Sequence, residues 1–475
     1  MTSTQSKRSL LQLLTALIAS VVLAAACAAD QDGPLDNEDA ADEGSEDPAE
    51  PSDDSAEETA DDDAGDDEPA DDPDDSEAPT DADEPADEPD GVRGVTDDTI
   101  TIGYVYLDLD DVRERGIIDL NWGPQGDHMQ AIVDHINANG GVAGRNLEVI
   151  SIAFDPVGST GARAACLELT EDTQVFAVVG AIRRDEVFCY TEQHDTVAIA
   201  NSDLTQERVE RSIAPYASVN ASRERVIGLF IDEAVESGLF EGRTVAVMSS
   251  DAIEVTEAIA VPALEAAGIT VEGIYLTQGD GTIGSAAVEA AAAAEAMKVQ
   301  GVDTVLVVGD AIVAVNSFIG ADFDPTILFT DQGSASTTAG RADLSSFEAL
   351  YTYGPQSASV RYDDPVFQER CVAPWNEANP DLIAINPADV PDREPNHAVG
   401  LQIACRLMAI FTSVADSAGP DLTTESFGAA LDSLGEFHLP GSGTATLTEG
   451  KYDAEDVLRI AIYDETEQAF VALED

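Results

Sequence analysis

A chain of 475 residues has room for two or three hydrophobic cores. Its 94 acidic residues against 22 basic ones give a formal charge of −72, which repels nucleic-acid phosphates and anionic headgroups and sets both aside as binding partners. The charge is uneven: residues 28–90 hold 31 Asp and Glu and no Lys or Arg, while residues 91–475 hold the other 63 acids and 20 bases, a surplus near −43.

Met1–Cys27 opens with Lys7 and Arg8, runs apolar from Leu10 to Leu23 and ends in Ala24-Ala25-Ala26-Cys27. This is the three-part form of a secretory signal. Gln12, Thr15 and Ser20 interrupt the run, so a cleaved signal fits better than a retained membrane helix. A cysteine directly after small residues also resembles the lipobox of bacterial lipoproteins; the Leu usual three places before it is replaced by Ala24, with Leu23 one place further back. The resemblance implies a signal peptide over 1–26, lipidation at Cys27 and a place on the outer face of the cell membrane. Two acyl chains would anchor firmly, at about 0.8 kcal/mol per buried CH₂. Residues 27–91 are Asp, Glu, Pro, Ala and Ser with almost no branched or aromatic side chains, too little apolar surface to offset chain entropy, which predicts a disordered acidic linker. Flexible-coil scaling makes it a stalk of roughly 45 Å, lengthened by self-repulsion.

From Thr99 onward short β-branched runs alternate with amphipathic stretches, the pattern of βα crossovers and a parallel sheet. Strands are expected at 99–107, 147–154, 175–179 and 197–200, with helices at 126–139, 160–171 and 185–194 between them. Asn139-Gly140-Gly141 ends the first helix in the usual way, because glycine accepts the left-handed conformation of a C-cap. A second series repeats the plan, with a helix at 223–237, strands at 244–249, 270–276, 304–308 and 327–330, and helices at 253–267, 283–300 and 311–319. Beyond Pro355 the pattern is mostly helical, at 365–378, 396–418 and 424–434, then a strand pair at 458–463 and 470–473.

In this order the motifs Gly94-Val95-Thr96-Asp97-Asp98-Thr99-Ile100-Thr101-Ile102-Gly103 and Ile136-Asn137-Ala138-Asn139-Gly140-Gly141-Val142-Ala143-Gly144-Arg145 resemble the type I periplasmic binding proteins, the branched-chain amino-acid-binding receptors of ABC transporters. Phe176-Ala177-Val178-Val179-Gly180, Arg243-Thr244-Val245-Ala246-Val247 and Gly301-Val302-Asp303-Thr304-Val305 continue the resemblance, which covers about 92–475. It implies an α/β fold of two Rossmann-like lobes with parallel sheets, joined by a three-segment hinge that closes on a ligand. By that analogy lobe one is 92–217 with a return segment at 353–440, lobe two is 218–352, and 441–475 supplies the last hinge segment and the C-terminal strands of lobe two.

Open parallel sheets bind ligands beyond the carboxyl ends of their strands, which singles out the following loops. In lobe one, Trp122 could stack on an apolar ligand or simply anchor its loop; Arg183 and Arg184 could form a fork for a carboxylate or pair with local acids; Asn201 and Ser202 stand where the family donates main-chain and hydroxyl groups. In lobe two, Asp251, Asp310, Asp331 and Gln332 follow strands, and the resemblance puts an acid for a ligand ammonium near Asp331 and Gln332. Ile253-Glu254-Val255 replaces the aromatic residue that the family has after the first strand of this lobe.

Four cysteines besides Cys27 predict disulfides in an exported chain, and of three possible pairings sequence proximity favours Cys166 with Cys189 and Cys371 with Cys405. The first pair resembles a lobe-one disulfide of the family. There is no CxxC pair, and His128, His135, His194, His397 and His438 are scattered, so no metal and no cofactor is expected. The sequence has no G-x-S-x-G elbow, P-loop or H-E-x-x-H, and Gly441-Ser442-Gly443 reads as a turn, so no enzyme is expected. The reading is a monomeric, lipid-anchored solute receptor that passes a small amino-acid-like ligand to ABC permease subunits. The alternative is a ligand sensor or cell-envelope interaction protein on the same fold without transport.

A body near −43 is self-repulsive unless counterions screen it, which points to adaptation to salt. Thermal unfolding midpoints should therefore rise across a salt series, and a flat or falling series rules the adaptation out.

Overall fold

The computed structural model describes residues 91–473 apart from 116–119, 157–158, 203, 279–282 and 392. The signal, Cys27 and the stalk up to residue 90 lie outside the described residues.

The first lobe is built on β1 (Thr99–Leu107), β2 (Asn146–Phe154), β3 (Ala177–Gly180), β4 (Val197–Ala200) and β5 (Tyr216–Ser218), all parallel in the order β2-β1-β3-β4-β5. The second uses β6 (Val245–Ser249), β7 (Val271–Leu276), β8 (Thr304–Val308), β9 (Thr326–Phe329) and β10 (Leu350–Pro355). Its order, β10-β9-β8-β6-β7, is parallel throughout. β3, β4, β6, β8 and β9 are buried along their whole length, as continuous Val, Ile, Leu and Ala runs require when helices cover both faces of a sheet. An antiparallel hairpin, β11 (Gly435–Leu439) with β12 (Gly443–Leu447), follows in the chain. β13 (Leu458–Asp464) then runs antiparallel on the edge of the second sheet against β10, with β14 (Ala469–Ala472) outside it. The expected two-lobe α/β architecture is what forms.

The strands that periodicity predicted agree with those observed to within two residues, and β1, β4 and β8 coincide with them. Several predicted single helices are instead broken by wider turns, at Glu168–Asp172, Cys189–Gln193, Thr256–Ala260 and Gln368–Val372. Two physical causes are visible. Pro262 and Pro374 follow two of these turns, and a proline inside a helix cannot donate and crowds the carbonyl four residues back. In the others Thr170 and Thr191 hydroxyls donate to the carbonyls of Cys166 and Val187, at 2.7 and 3.1 Å, competing with the backbone; Thr256 does the same to Ala252.

Short elements escaped the periodicity: the helices Leu109–Glu114, Gln206–Arg211, Gln332–Ala339 and Ala358–Tyr362, the three-residue β5 and the β11–β12 hairpin. They also correct the expected boundaries. β5 keeps Ser218 in the first sheet, β10 holds 353–355 in the second, and the hairpin straddles the boundary at 440. Leu439, Ala445 and Leu447 of that hairpin are buried in the first-lobe core, so apolar packing carries lobe one on to Leu447. Gly441-Ser442-Gly443 is the turn expected, with Ser442 N–H donating to Leu439 at 2.9 Å.

One helix among the described residues, His397–Ala418, is long and apolar enough to cross a bilayer, but 78% of its apolar window is buried inside the protein. It packs against the helices Gln125–Ala138 and Thr424–Ser433, and its Phe411 stacks with Phe427 and meets Phe176 edge-on. Truncating one such ring to alanine costs about 3 to 5 kcal/mol. Sulfur atoms lie at bonding distance in the two pairs favoured by proximity, Cys166 with Cys189 (Cα–Cα 6.4 Å) and Cys371 with Cys405 (Cα–Cα 6.2 Å).

Three segments cross between the lobes: the stretch after β5, the stretch after β10, and Tyr452–Val457 before β13. The first and third are hydrogen-bonded to each other, Ser218 N–H to Tyr452 at 2.8 Å, Ala454 N–H to Ser218 at 2.9 Å and Glu455 N–H to Val219 at 3.1 Å.

A buried histidine pair lies in the first core. His128 Nε2 is 3.1 Å from His397 Nδ1, and the Trp375 ring meets His128 edge-on at 4.4 Å. Burial, with the His397 charge adding to it, pushes His128 down to about 3, and burial also lowers His397. His128 is therefore neutral in the folded protein at neutral and mildly acid pH, whereas an unfolded histidine titrates at about 6.5. Below that pH the unfolded chain binds protons that the folded chain refuses, so stability holds above it and falls as pH drops from 6.5 toward 3. The His128 share grows from about 0.7 kcal/mol per pH unit at pH 6.5 to about 1.4 lower in this range. Unfolding midpoints between pH 6.5 and 5 should fall less steeply in His128→Gln than in the parent, and parallel slopes would show that the pair does not govern this limb.

Candidate functional site

Strand order reverses between β1 and β3 in the first sheet and between β6 and β8 in the second. At such a reversal neighbouring connections leave on opposite faces and open a crevice beyond the strand ends.

In the second lobe three acids meet there. Ser249, the last residue of β6, donates its hydroxyl to Val308 at 2.9 Å, joining the two strand ends, and accepts from Ala252 N–H at 3.1 Å. Asp251 Oδ1 then accepts the Asp310 N–H at 2.8 Å across the reversal. Only glycine permits this approach: Gly309 has φ +88°, and a Cβ there would lie 2.1 Å from Asp251 Oδ1. Asp310 caps the helix Ala311–Gly320 through Ile312 N–H at 2.8 Å, and Asp331 caps the helix Gln332–Ala339 through Ser334 N–H at 2.9 Å. Ser334 binds the caps together, its hydroxyl donating to Asp310 at 3.2 Å and accepting from Ala311 N–H at 2.8 Å. The Gln332 side chain lies over Gly354 of β10, where a Cβ would sit 2.3 Å from Oε1.

Asp251 is exposed as a residue, yet protein atoms crowd its carboxyl and desolvation pushes its pKa up. The Asp310 N–H and the Arg223 charge oppose that rise, and the Asp310 carboxylate adds to it. Such a desolvated carboxylate beside a second one is a place where a ligand cation would be favoured.

In the first lobe Gly180 ends β3 at φ +133°, and a Cβ there would lie 2.0 Å from the Val105 carbonyl of β1. Ala181 N–H donates to that carbonyl at 2.8 Å. Arg183 follows, but much of its guanidinium is engaged locally: it donates to the Pro156 carbonyl and to Glu186, both at 3.2 Å, and lies 5.6 Å from the Phe154 ring centre. Its Nε has no partner among the described residues. Arg184 opens the turn Arg184–Glu186. Asn201 and Ser202 lie beside this loop: Asn201 N–H donates to Gly180 at 3.0 Å, and the Ser202 hydroxyl donates to Ile182. Their carbonyls take donors from the first crossing, Asn220 at 2.7 Å and Ser218 at 2.6 Å. The Ser202 hydroxyl, its proton committed, is left as an acceptor.

Trp122 stands apart from both groups. It is half-buried on the loop after β1, its carbonyl packed on Gly400, while the neighbouring Asn121 carbonyl accepts the Asn396 N–H at 2.8 Å. The structure thus gathers Asp251, Asp310, Asp331 and Gln332 at one set of strand ends and Arg183, Asn201 and Ser202 at the other. Ser334 was missed, although Asp331 and Ser334 have the three-residue spacing of an N-cap.

No family model and no curated protein matches the sequence. Solved structures do match in fold. An ABC transporter substrate-binding protein from Desulfitobacterium hafniense, in complex with Leu, is 14% identical with a TM-score of 0.54, over 79% of this chain and 100% of that one. A solute-binding protein of an ABC transporter from Rhodopseudomonas palustris, in complex with 3,4-dihydroxybenzoic acid, is 14% identical with a TM-score of 0.53, over 80% of this chain and 97% of that one. A fatty acid ABC transporter substrate-binding protein from Thermomonospora curvata is 16% identical with a TM-score of 0.53, over 81% and 95%. At these identities the likeness is one of fold, and the fold is that of the substrate-binding proteins of ABC transporters, the type I periplasmic binding protein architecture.

Proposed function

We propose that the chain is an extracytoplasmic solute-binding receptor, not an enzyme, that captures a small amino-acid-like ligand between its lobes and delivers it to an ABC permease. The observation that carries this reading is the pair of reversed strand orders, each with polar groups at the strand ends. The similar proteins bind leucine, an aromatic acid or, by name, fatty acids, so ligand class has to come from this chain's own residues. Asp251, Asp310 and Asp331 favour an ammonium at the second lobe. Arg183 Nε favours a carboxylate at the first, and the Ser202 hydroxyl, left as an acceptor, favours a donor group of the ligand. A zwitterion satisfies both, with Gln332 as a flanking contact at the second lobe, while Trp122, apart from both groups, anchors its loop.

A thermal-shift screen of the purified chain against amino acids, amides, small carboxylates and polyamines tests this. At a thousandfold excess over Kd, binding adds about 4 kcal/mol, enough to raise the midpoint by several degrees. Zwitterionic amino acids should give the shift, and Asp251→Asn should weaken binding about tenfold or more through loss of a charge-assisted contact. No shift with any compound, after unfolding and refolding to strip carried-over ligand, would exclude capture of this class and favour the sensing or interaction reading.

Export completes the reading: cleavage before Cys27, lipidation there, a stalk over 27–91, then lobe one from 92, lobe two from about 219 and the return segment from about 356 to the hairpin. The two close sulfur pairs are disulfides in this compartment. Mass spectrometry of the protein from its membrane fraction should find an acylated N-terminal Cys27, and a non-reducing peptide map should link Cys166 to Cys189 and Cys371 to Cys405. An unmodified N-terminus elsewhere, or free thiols at all four, would refute the respective half.

A further inference from the structure

The third crossing carries Asp453, Glu455 and Asp456, and cations meet it from both sides. Asp453 and Asp456 are matched charge for charge. Arg225 lies 2.9 Å from Asp453 and 3.2 Å from Asp456, and Lys451 lies 3.4 and 3.1 Å from the same two. Glu455 is not matched in this way. Arg361, from the helix after β10, and Arg406, from the middle of the apolar helix His397–Ala418, both direct Nη2 at one oxygen, Glu455 Oε2, the first at 3.2 Å. The Ser442 hydroxyl donates to that oxygen as well, at 2.9 Å. The Glu455 side chain is 1% exposed and those of Arg406 and Arg361 are 6% and 11% exposed.

One carboxylate therefore faces two guanidinium groups, a surplus of one positive charge in a buried place. Arg361 Nε, Arg406 Nε and Glu455 Oε1 are buried without a partner among the described residues. Loss of a proton does not remove the surplus. Burial, followed by the Arg361 charge, pushes Arg406 down to about 9 against the pull of Glu455, which still leaves it charged at neutral pH. Arg361 is lowered by burial and supported by Glu455. A buried charge without a counter-charge is expensive, and unpaired charged N–H groups add to the cost.

We propose that this cluster binds a small monovalent anion of the halide class, chloride in a saline medium, through the guanidinium N–H groups that Glu455 leaves unpaired. The surplus is a single charge, so a divalent anion would reverse it and a cation would enlarge it. The near absence of exposure excludes a carboxylate solute and fits a bare ion. The body's large negative charge does not prevent this, because exposed charges are screened within about 8 Å at physiological salt while the buried guanidinium groups act directly. The ion would sit where first-lobe residues hold the third crossing, whose Glu455 carbonyl also receives Arg225 from the first helix of lobe two. Its binding would tighten the hinge.

The test is thermal unfolding of the purified chain at fixed pH and fixed sodium concentration, with gluconate replaced stepwise by chloride or bromide. The expected result is a midpoint that climbs by a few degrees in chloride and saturates, with bromide reproducing it and gluconate showing only general screening. Arg406→Met, which leaves the Arg361–Glu455 pair neutral, should lose the halide-specific part and keep the screening part. Should that variant not fold, bromide-soaked crystals of the parent protein should show anomalous density beside Arg361 and Arg406. Coincident chloride and gluconate curves, a full halide effect in Arg406→Met, or bromide density only elsewhere would each overturn the proposal.

Discussion

The short segment Lys451–Val457 holds the two lobes in one structure, and it does so largely by charge. Asp453 is 2% exposed, receives the Ser222 N–H at 2.5 Å and pairs with Arg225 at the start of the first helix of lobe two. Two residues on, Glu455 turns the other way and pairs with Arg361 and Arg406 of lobe one. Residues two apart share a face in a regular strand, so the opposite partners of Asp453 and Glu455 require the chain to turn between them; Ala454–Val457 is irregular, and this one crossing reaches both lobes. Removing Glu455 would leave two guanidinium groups buried and uncompensated, a kind of loss that costs about 3 to 5 kcal/mol. An apolar contact at this place would also bury surface, but it would not fix direction as a charged hydrogen bond does.

This arrangement bears on how a ligand could act. In a two-lobe receptor the bound molecule selects among lobe arrangements, and its leverage is limited to its difference in affinity for them. The candidate ligand groups lie at the carboxyl ends of the two sheets, outside the crossings. Asn201 and Ser202 are linked to the crossings, since their carbonyls accept from Asn220 and Ser218, and Ser218 is paired with Tyr452 and Ala454. A group that pulled on the Ser202 loop would pull on the hinge through two hydrogen-bonded steps. The acidic set of Asp251, Asp310 and Asp331 is held by helix caps and a close glycine, a mounting that fixes the like charges near one another.

Much of the fold was legible in the sequence because hydrophobic periodicity is local. β3, β4, β6, β8 and β9 are apolar except for Ser249, Thr304 and Thr326 at the ends of the last three, and such a run reads the same in isolation as in a sheet. The hairpin β11–β12 was not legible, since Gly435–Leu439 and Gly443–Leu447 are short and polar-rich and become strands by pairing with each other. The site was legible in part. Position after a strand picked out Asp251, Asp310, Asp331 and Gln332, but not the Ser334 hydroxyl that joins two of the caps. Arg183 follows the end of β3, and its engagement with Pro156 and Glu186 comes from loops folding together.

By itself the sequence determined what depends on neighbours a few residues away: the alternation of strands and helices, the order of the two lobes and the uneven spread of charge. It also narrowed the possible cysteine pairings, and the sulfur atoms at bonding distance belong to residues only 23 and 34 apart. Only the tertiary structure decided which charges meet. Arg406 pairs with Glu455 across 49 residues, Arg361 with Glu455 across 94 and Arg225 with Asp453 across 228. Nothing local distinguishes these two acids from the 61 others in the body. A carboxylate becomes a hinge residue when sheet closure removes its water and leaves guanidinium groups as its partners, and that condition exists only once both lobes have folded.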